Sequence, residues 1–413
     1  MSLVVMKFGG SSLADADKIK HVAGRIIVKK KGGNKIVAVV SAPGNTTDDL
    51  IKMADKITCS PSFREMDVLL ATGEMISIAL LAMAIDTMGE KVISMTGAQA
   101  GILANEDYTH ARIKKINSQK IYNQLAEDNI VIVAGFQALN PRGDVTTLGR
   151  GGSDLTAVAL AAALKSDLCE IYSDVEGVYT TDPRVVKNAK KINYISYDEM
   201  LEMANSGSQV LQSRSIEVAK KFNVEIHSRS TFSENEGTII TNEEKVKEKE
   251  MESFLVSGIA FDKNQAKFTI SILDTINVVL KIFSKFSEVN INIDMLSQFV
   301  LDKNNIISFI VNGNDVKKAW EELDKITLNC NASISCDEHI AKISIIGIGI
   351  KNHSFVAAKI FKILYRSGIV PNMVSISEIK MSCIVNESDV LKAVAELHKG
   401  FDLSKKANKG DLQ

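Results

Sequence analysis

The spacing of apolar positions changes repeatedly over the first 242 residues of the chain. Residues 17–30 place apolar side chains three and four positions apart, which predicts a helix with one buried face. That face consists of Ile19, Val22, Ala23, Ile26 and Ile27. Short β-branched runs predict strands at residues 4–8, 36–40, 92–95, 130–134, 170–173 and 224–227. Because helical stretches separate most of these runs, we expect an α/β fold with a mostly parallel sheet and helices on both faces.

A charged run ends this pattern at residues 242–253. Eight of its twelve residues are charged and none is glycine or proline, which indicates a solvated connecting segment with possible helical structure. We therefore predict an N-terminal domain over residues 1–242 and a linker over residues 243–253.

The remainder of the chain contains an internal repeat. Residues 315–325 and 389–399 are identical at seven of eleven positions, at an offset of 74. Shorter matches precede them in each copy, and each copy has the order strand, helix, strand, strand, helix. Two copies are too few for a solenoid, so we predict two α+β, ferredoxin-like units at residues 254–335 and 336–413. The first strand-to-helix loop is five residues shorter in the first copy than in the second.

The bulk composition excludes several classes of protein. With 45 % apolar residues, 24 % charged residues and a formal net charge of −1, the chain has no basic field to attract nucleic acid or anionic lipid. Its apolar runs are shorter than a membrane span, and the N-terminus does not have the pattern of a signal peptide. The five scattered cysteines predict buried, reduced thiols in a cytoplasmic protein. The six histidines have no metal or triad spacing, so we predict no role for them.

A lysine and two glycines follow the first predicted strand, in the segment from Lys7 to Ser12. Glycines let backbone N–H groups approach an anion, and a helix N-terminus adds a positive dipole end, so the segment predicts a phosphate cradle. An ordinary helix start is the alternative, because residues 12–15 fit a capping box. Neither GxxxxGK[ST] nor GxGxxG is present, so a Walker A loop and a Rossmann dinucleotide site have no support.

A second glycine loop, residues 146–154, reads TTLGRGGSD and precedes an apolar helical run. Ser153 or Asp154 is predicted to cap that helix. Arg150 is suited to a bidentate contact with a carboxylate or phosphate. The alternative is a simple turn with a solvated arginine.

Two further polar loops follow predicted strands, at residues 41–47 and 173–184. The second offers hydroxyls, an aromatic ring and an arginine, a mixture suited to a nucleotide. Because the carboxyl ends of parallel strands meet at one edge of a sheet, we expect all four loops to face the same edge. Glu74 is a lone carboxylate, which by itself indicates a surface glutamate.

Five motifs together resemble the aspartokinases of the amino-acid kinase family. They are KFGGSS at Lys7, SAPGNTTDDL at Ser41, TGE at Thr72, TLGRGGSD at Thr147 and YSDVEGVYTTDPR at Tyr172. The C-terminal repeat is similar to the tandem ACT domains with which aspartokinases sense amino acids. The resemblance covers essentially the whole chain. The resemblance implies that residues 1–242 form a catalytic domain and that the two α+β units are ACT units.

This resemblance implies transfer of the ATP γ-phosphoryl group to the side-chain carboxylate of L-aspartate, the first step toward lysine, threonine and methionine. Lys7 and Asp154 are the implied catalytic residues: Lys7 neutralises the phosphoryl oxygens and Asp154 orients Lys7. The implied substrate residues are Ser41, Thr47, Glu74, Arg150, Gly151 and Ser153. The implied nucleotide residues are Lys7, Gly9, Gly10, Ser173, Asp174, Tyr179 and Arg184. Mg²⁺ is expected to bridge the phosphates, and no protein metal ligand is predicted.

The resemblance also implies feedback regulation by lysine, threonine or both, and a homodimer or homotetramer formed through the ACT domains. The implied effector residues are Asn292, Asp294 and Gln298, with Ser377 and Glu378 opposite. The shortened first-copy loop leaves the effector's identity open, and Met251 is a possible start of a separate regulatory subunit. Two alternatives remain: a kinase acting on glutamate, acetylglutamate or a nucleotide, and a catalytically weak amino-acid-sensing regulatory protein.

Overall fold

The computed structural model describes residues 2–208, 210–249, 256–272, 276–301, 304–327 and 332–404. The chain divides into two compact units. The first comprises Met1–Val178, Lys191–Ala204 and Gln209–Ser253, and the second comprises Tyr179–Lys190, Asn205–Ser208 and Phe254–Gln413. The segment Tyr179–Lys190, which belongs to the fourth polar loop, thus groups with the C-terminal part of the chain.

The first unit is an alternation of strands and helices. Its elements in chain order are β1 Leu3–Phe8, α1 Ala16–Lys31, β2 Lys35–Val40, α2 Thr46–Asp55, α3 Phe63–Thr87, β3 Val92–Met95, β4 Ile102–Ala104, β5 Ile113–Ile116, α4 Gln119–Ala126, β6 Ile130–Ala134, β7 Gln137–Leu139, β8 Val145–Thr147, α5 Gly152–Leu164, β9 Leu168–Ser173, β10 Tyr194–Ser196, α6 Tyr197–Asn205, α7 Ser213–Phe222, β11 Ile226–Ser230, β12 Thr238–Thr241 and α8 Glu243–Lys249.

The main sheet of this unit has eight strands in the order β10-β12-β11-β9-β1-β2-β6-β3. Its neighbouring strands are parallel except β11 and β12, which confirms the predicted mostly parallel sheet. The five apolar residues predicted for one face of α1 are all buried. They pack with α3 against Val4, Met6 and Phe8 of β1. Lys7 therefore lies on the other face of β1, since side chains alternate along a strand.

A four-stranded sheet in the order β5-β4-β7-β8 was not predicted from the sequence. Its strands have only three or four residues, too short to show an apolar period. β8 leads directly into the second glycine loop, so this small sheet helps to place that loop. The strand expected at residues 224–227 begins two residues later, because α7 ends at Asn223 in the left-handed conformation.

Among the described residues, α3 is the one helix that is long and apolar enough to cross a membrane by length and composition. It packs instead within the first unit, where Leu81 and Ile85 have no exposed surface. Four described cysteines are free thiols. Cys169 and Cys383 are buried, but Cys59 is exposed, so the prediction of buried thiols is wrong there. Cys330 lies outside the described residues.

The second unit repeats one order of elements twice. These are β13 Gly258–Ile272, α9 Ile276–Glu288, β14 Asp294–Leu301, β15 Asn304–Asn312, α10 Val316–Thr327, β16 Ala332–Ile346, α11 Ser354–Arg366, β17 Met373–Ile376, β18 Lys380–Asn386 and α12 Val390–Gly400. The predicted order of strand, helix, strand, strand, helix is therefore confirmed in both copies. The repeated sequence buries corresponding positions in the two copies: Val316, Ala319 and Leu323 in α10, and Val390, Ala393 and Leu397 in α12.

Both copies share one antiparallel sheet of six strands, in the order β14-β15-β13-β16-β18-β17. The long strands β13 and β16 pair at its centre, and each copy has its own apolar core. The boundary suggested between residues 335 and 336 falls inside β16. The domain bounds stay a prediction. The shortened loop of the first copy lies mostly outside the described residues, at residues 273–275.

Candidate active site

Lys7 and Asp154 meet at the centre of the main sheet. The Nζ atom of Lys7, near the carboxyl end of β1, lies 2.7 Å from Oδ1 of Asp154 in the first turn of α5. Each side chain is 11 % exposed. Oδ1 nevertheless accepts no hydrogen bond within the described part of the chain, so the contact is ionic without hydrogen-bond alignment. The lysine N–H groups are therefore still available to an oxyanion.

The first glycine loop packs closely against the loop that follows β2. The Gly9 amide donates to the carbonyl of Tyr172 at 3.2 Å, and the Gly44 amide donates to the carbonyl of Gly10 at 2.9 Å. A Cβ atom on Gly10 would lie 2.7 Å from the carbonyl oxygen of Ala42, closer than real contacts allow. Glycine is therefore needed for the two loops to meet.

A short 3-10 helix, Gly10–Leu13, separates this loop from α1. The capping box at residues 12–15, considered as the alternative, does not form, because Asp15 is the N-cap of α1 and accepts from the amide of Lys18. The Ser12 hydroxyl instead lies 2.6 Å from that of Thr231 in a buried contact. Ser12 thus joins the first loop to the end of β11.

The second glycine loop begins α5 without a side-chain cap. Gly151 is the N-cap, with φ of 71° in the left-handed region. A Cβ atom there would lie 2.0 Å from Cγ of Gln212, so a tertiary contact as well as the backbone requires glycine. The prediction that Ser153 or Asp154 caps this helix is wrong. Both lie within its first turn, which leaves the Asp154 carboxylate available to Lys7.

Arg150 points away from the protein interior. Its side chain is 93 % exposed, and Nη2 lies 3.8 Å from Oδ1 of Asp48, a weak contact in water. This contact places Arg150 beside the first turn of α2, which contains the half-buried Thr47. The guanidinium is thus available to a substrate carboxylate at the rim of the site.

Two serines line the same edge of the sheet. Ser41 follows β2, donates its amide to the Phe8 carbonyl at 3.2 Å, and accepts at its own carbonyl from the Ser77 hydroxyl at 2.7 Å. Ser153 is buried beside Gly135, where a Cβ atom would lie 2.7 Å from the serine hydroxyl oxygen. The structure therefore brings both serines to the carboxyl ends of β2 and β6.

Glu74 lies in the interior of α3 and is only 3 % exposed, so its interpretation as a surface glutamate is wrong. One carboxylate oxygen accepts from the Ala42 amide at 3.0 Å, but Oε2 has no hydrogen-bond partner among the described residues. Burial raises the pKa of Glu74 to about 7, although the Ala42 amide opposes that effect. A buried carboxylate oxygen without a partner is suited to accept from a ligand cation.

Four of the residues predicted to bind the nucleotide lie at the end of β9 or after it. Ser173 accepts at Oγ from the Val175 amide at 3.3 Å, and Asp174 is exposed. Arg184 forms a bidentate pair with Asp182, with the closest approach 2.8 Å, and remains 83 % exposed. This pair lowers the pKa of Asp182. Ser173 and Asp174 belong to the first unit, whereas Tyr179 and Arg184 belong to the second.

The segment Tyr179–Lys190 is held inside the second unit. The Ile259 amide donates to the Thr180 carbonyl at 2.7 Å. The Thr180 hydroxyl lies 2.9 Å from Nε2 of His398, a side chain of α12 with 1 % exposure. Val185 and Val186 pack against the core of the second copy of the repeat. Sequence reasoning assigned no role to His398, because an isolated histidine has no recognisable spacing.

The predicted effector residues lie in the second unit. Asp294 pairs with Lys342 at 2.8 Å, and Lys342 is almost fully buried. Burial acts to raise the pKa of Asp294, but Lys342, Lys380 and the Met295 amide together lower it below its ordinary value. Asn292, Gln298, Ser377 and Glu378 are at least partly exposed.

Strand register separates Gln298 from Ser377 within one chain. Gln298 of β14 pairs with Ile307 of β15, which pairs with Ile270 of β13. Ile270 in turn pairs with Ile334 of β16, so these residues form one row across the sheet. Ile376, at the end of β17 just before Ser377, pairs with Met381, which pairs with Ile345 of β16. Ile345 is eleven residues beyond Ile334 along β16. Gln298 and Ser377 therefore lie far apart in one chain. Asp294, at the other end of β14, lies nearer β17, because it contacts Lys342, which is in the row of Met373 through Ile384. The effector assignment stays a prediction.

Asp67 is a functional residue that sequence reasoning missed. It lies fully buried in α3 and accepts hydrogen bonds from three donors. The single Thr109 N–H is shared between both carboxylate oxygens, and the hydroxyls of Thr146 and Thr147 donate at 3.0 and 2.5 Å. Thr146 and Thr147 are the first two residues of the second glycine loop and the last two of β8, so Asp67 fixes the start of that loop.

Replacing Asp67 by asparagine tests this role. The amide side chain of the variant would present an NH₂ group to donors, so we expect D67N to lower the free energy of unfolding by roughly 2–3 kcal/mol and to raise the KM for the amino-acid substrate. Urea unfolding and steady-state kinetics measure both effects. Asp86→Asn, an exposed change on the same helix, is the matched control. Equal stability of the two variants would contradict the proposed anchor.

Replacing Glu74 by glutamine tests the cost of its burial. Because the folded pKa is above the ordinary value of 4.5, the wild-type protein loses stability as pH rises from about 4.5 to 7. Glu74→Gln removes that loss, so the variant should be more stable above pH 7, by up to about 3 kcal/mol, with the gain fading toward pH 4.5. Thermal unfolding against pH measures this difference. A variant less stable than wild type at pH 8 would contradict it.

Comparison with known proteins supports a family assignment. A model of the amino acid kinase family matches residues 2–229, and an ACT domain model matches residues 343–401. The aspartokinase of Bacillus sp. (strain MGA3) is 45 % identical over 415 residues, covering 100 % of both chains. The aspartate kinase of Pseudomonas putida is 44 % identical over 414 residues and also covers 100 % of both.

Solved structures show the same architecture. Aspartate kinase from Synechocystis is 36 % identical with a TM-score of 0.55, over 100 % of this chain and 71 % of that one. E. coli aspartokinase III in complex with aspartate and ADP has a TM-score of 0.81 at 23 % identity, over 96 % of this chain and 99 % of that one. Together with the full-length relatives, these matches show that the chain belongs to the amino acid kinase family and, within it, to the aspartokinases.

Proposed function

We propose that this chain transfers the γ-phosphoryl group of ATP to the side-chain carboxylate of L-aspartate, giving 4-phospho-L-aspartate and ADP. The observation that carries the proposal is the Lys7–Asp154 pair, 2.7 Å apart, where the first glycine loop meets the start of α5. The full-length aspartokinase relatives, at 44–45 % identity, support the same reaction.

Positioning and charge neutralisation supply most of the catalysis in this account. The attacking carboxylate is already ionised at pH 7, so it needs no strong base. It must be held in line with a second anion, which repels it. Lys7 neutralises the phosphoryl oxygens from a largely buried position, where a charge interacts more strongly than in water. Asp154 keeps the lysine in place without occupying all of its donors.

The substrate pocket is built around Glu74. The aspartate ammonium would bind Oε2, the buried oxygen that lacks a partner among the described residues. Arg150 would swing from its exposed position to clamp a substrate carboxylate. The remaining predicted contacts come from Ser41, Thr47, Gly151 and Ser153.

The nucleotide would bind beside the first glycine loop, with Gly9, Gly10, Ser173, Asp174, Tyr179 and Arg184 as contacts. Mg²⁺ takes oxygen ligands and commonly binds through substrate phosphates and water. Within the described ranges, no three His, Cys, Asp or Glu side chains cluster to hold a metal by themselves. Mg²⁺ that arrives with ATP would neutralise phosphate charge.

Regulation is the second part of the proposal. An amino acid binds the ACT domains, with lysine, threonine or both as the effector, in a cytoplasmic homodimer or homotetramer joined through these domains. This regulation suits an enzyme at the first step toward lysine, threonine and methionine. The support is the segment Tyr179–Lys190, which contains two predicted nucleotide contacts and packs against the core of the second ACT copy.

Trapping the acyl phosphate with hydroxylamine tests the reaction. We expect hydroxamate formation with aspartate and MgATP, and none above background with glutamate or without substrate. Lys7→Ala should lower kcat by more than about a hundredfold, while ATP binding weakens less. Lys31→Ala, an exposed lysine on α1, is the control and should keep wild-type turnover.

Each other outcome of this trap is informative. Hydroxamate with glutamate alone would favour another amino-acid kinase. Absence of product with both substrates would favour the catalytically weak amino-acid-sensing protein. Near-normal kcat in Lys7→Ala would remove Lys7 from the mechanism.

The contact between His398 and Thr180 provides a test of regulation. Burial lowers the pKa of His398, so the ring is neutral at pH 7. Replacing His398 by alanine removes a partner of Thr180 and loosens the segment that contains Tyr179 and Arg184. We expect the KM for ATP to rise about fivefold, kcat to change little, and inhibition by millimolar lysine plus threonine to weaken.

The conservative variant sharpens this test. His398→Gln keeps a hydrogen-bonding group and should retain most of the wild-type ATP affinity. An unchanged KM for ATP in His398→Ala would contradict the coupling. Calorimetry showing neither heat nor inhibition with lysine plus threonine would overturn feedback by these amino acids.

A further inference from the structure

A groove of about 650 Å³ lies between α1 and the main sheet. Its walls come from α1, β1, β9 and β11, and include Lys20, Gly24, Arg25, Lys29, Tyr172 and Arg229. Val4 and Met6 of β1 also border it. These side chains lie on the face of β1 opposite Lys7, so the groove is separate from the Lys7–Asp154 site.

The groove has an excess of positive charge. Four cationic side chains border it: Lys20, Arg25, Lys29 and Arg229. Glu170, 1 % exposed, lies 2.8 Å from Lys29 and 3.6 Å from Arg229. Glu234 contacts Arg25 at 2.5 Å but is 87 % exposed. Two carboxylates therefore face four cations in a partly enclosed space, where the charges are screened less than at an open surface.

Both arginines have a donor without a partner. The Arg25 side chain is 10 % exposed and donates to the carbonyls of Ser230 and Ser233, at 3.0 and 2.9 Å. Its Nε atom has no hydrogen-bond partner among the described residues, and neither does Nε of Arg229. Both Nε atoms are shielded from solvent, so these unsatisfied N–H groups leave the positive charge of the two arginines incompletely compensated by the protein.

Tyr172 holds the two guanidinium groups near each other. The Arg25 guanidinium lies 5.2 Å from the centre of the Tyr172 ring, and that of Arg229 lies 6.0 Å from it. Tyr172 itself is fixed by stacking on Phe8 at 4.9 Å and by donating to Glu170 at 3.1 Å. Two preorganised guanidinium groups at one ring match the planar oxygens of a carboxylate or phosphate.

Gly24 keeps the groove open. It lies in the middle of α1, where glycine destabilises a helix relative to alanine. A Cβ atom at this position would have no neighbour within 4 Å, so no crowding in the fold requires glycine. Its surroundings are the groove itself, and a larger side chain would fill it.

We propose that this groove binds a small organic oxyanion, with its phosphate or carboxylate group at Arg25 and Arg229. The exposed Val28 and the half-buried Leu168, also on the groove wall, would contact the ligand's apolar part. Binding of the anion would affect the first glycine loop, because two contacts connect the groove to that loop. The Tyr172 carbonyl accepts from the Gly9 amide, and the Thr231 hydroxyl, next to Ser230, contacts Ser12.

Thermal unfolding of the full chain with three probe anions tests the proposal. The probes are inorganic phosphate, pyrophosphate and citrate, each compared with sodium chloride at equal ionic strength. We expect at least one probe to raise the unfolding midpoint of the wild-type chain saturably, by about 3 °C or more. A larger rise of the midpoint with phosphate than with citrate would indicate that the groove prefers a phosphate group, and the reverse would indicate a carboxylate.

Four variants locate the bound anion. Gly24→Leu fills the groove and should abolish the rise while retaining aspartate kinase turnover, and Arg229→Gln should weaken it. Lys31→Gln removes a cation from the same helix outside the groove and should keep the rise. Lys7→Ala should also keep it, because the catalytic lysine lies on the other face of the sheet. A rise unchanged in Gly24→Leu, or lost only in Lys7→Ala, would overturn the proposal, as would no rise with any probe.

Discussion

The contact between Lys7 and Asp154 is the interaction on which the rest of the site depends. Two charged groups are 11 % exposed at the centre of an eight-stranded sheet, and neither would be stable there without the other. Their meeting requires β1 to end where α5 begins, and both glycine loops are packed too closely there for a side chain. The fold thus holds a cation at the point where two anionic substrates must approach each other.

Two buried carboxylates on α3 differ in their roles: one positions a loop of the site, and the other is suited to bind a ligand. Asp67 accepts hydrogen bonds from three donors and holds the start of the second glycine loop. Glu74 lies two helical turns further along, and one of its oxygens has no partner within the described residues. The first carboxylate is satisfied by the protein, whereas the second is suited to a substrate cation. Both carboxylates are buried, and they differ in whether the hydrogen-bond donors of the protein satisfy both of their oxygens.

Much of the architecture could be predicted because its signals are periodic. The buried face of α1 follows from apolar spacing, and six of the eight main-sheet strands follow from β-branched runs, whereas β10 and β12 were missed. The repeated order of the second unit follows from the internal sequence repeat. The loops after β1, β2 and β9 converge because these parallel strands end at one edge, whereas the second glycine loop follows β8 of the small sheet. The helix caps were predicted wrongly, because Gly151 is required by Gln212, a contact distant in sequence. Asp67, His398 and the burial of Glu74 depend on similarly distant partners, which no local pattern reveals.

The central claim is that Glu74 and Lys7 divide the aspartate molecule between them, one at its ammonium and the other near its side-chain carboxylate. A crystal structure with L-aspartate, Mg²⁺ and a non-hydrolysable ATP analogue tests this most directly. The account predicts a hydrogen bond from the ammonium to Oε2 of Glu74 and a side-chain carboxylate that faces the γ-phosphate beside Lys7. An ammonium bound elsewhere, with Oε2 still unpaired, would contradict it.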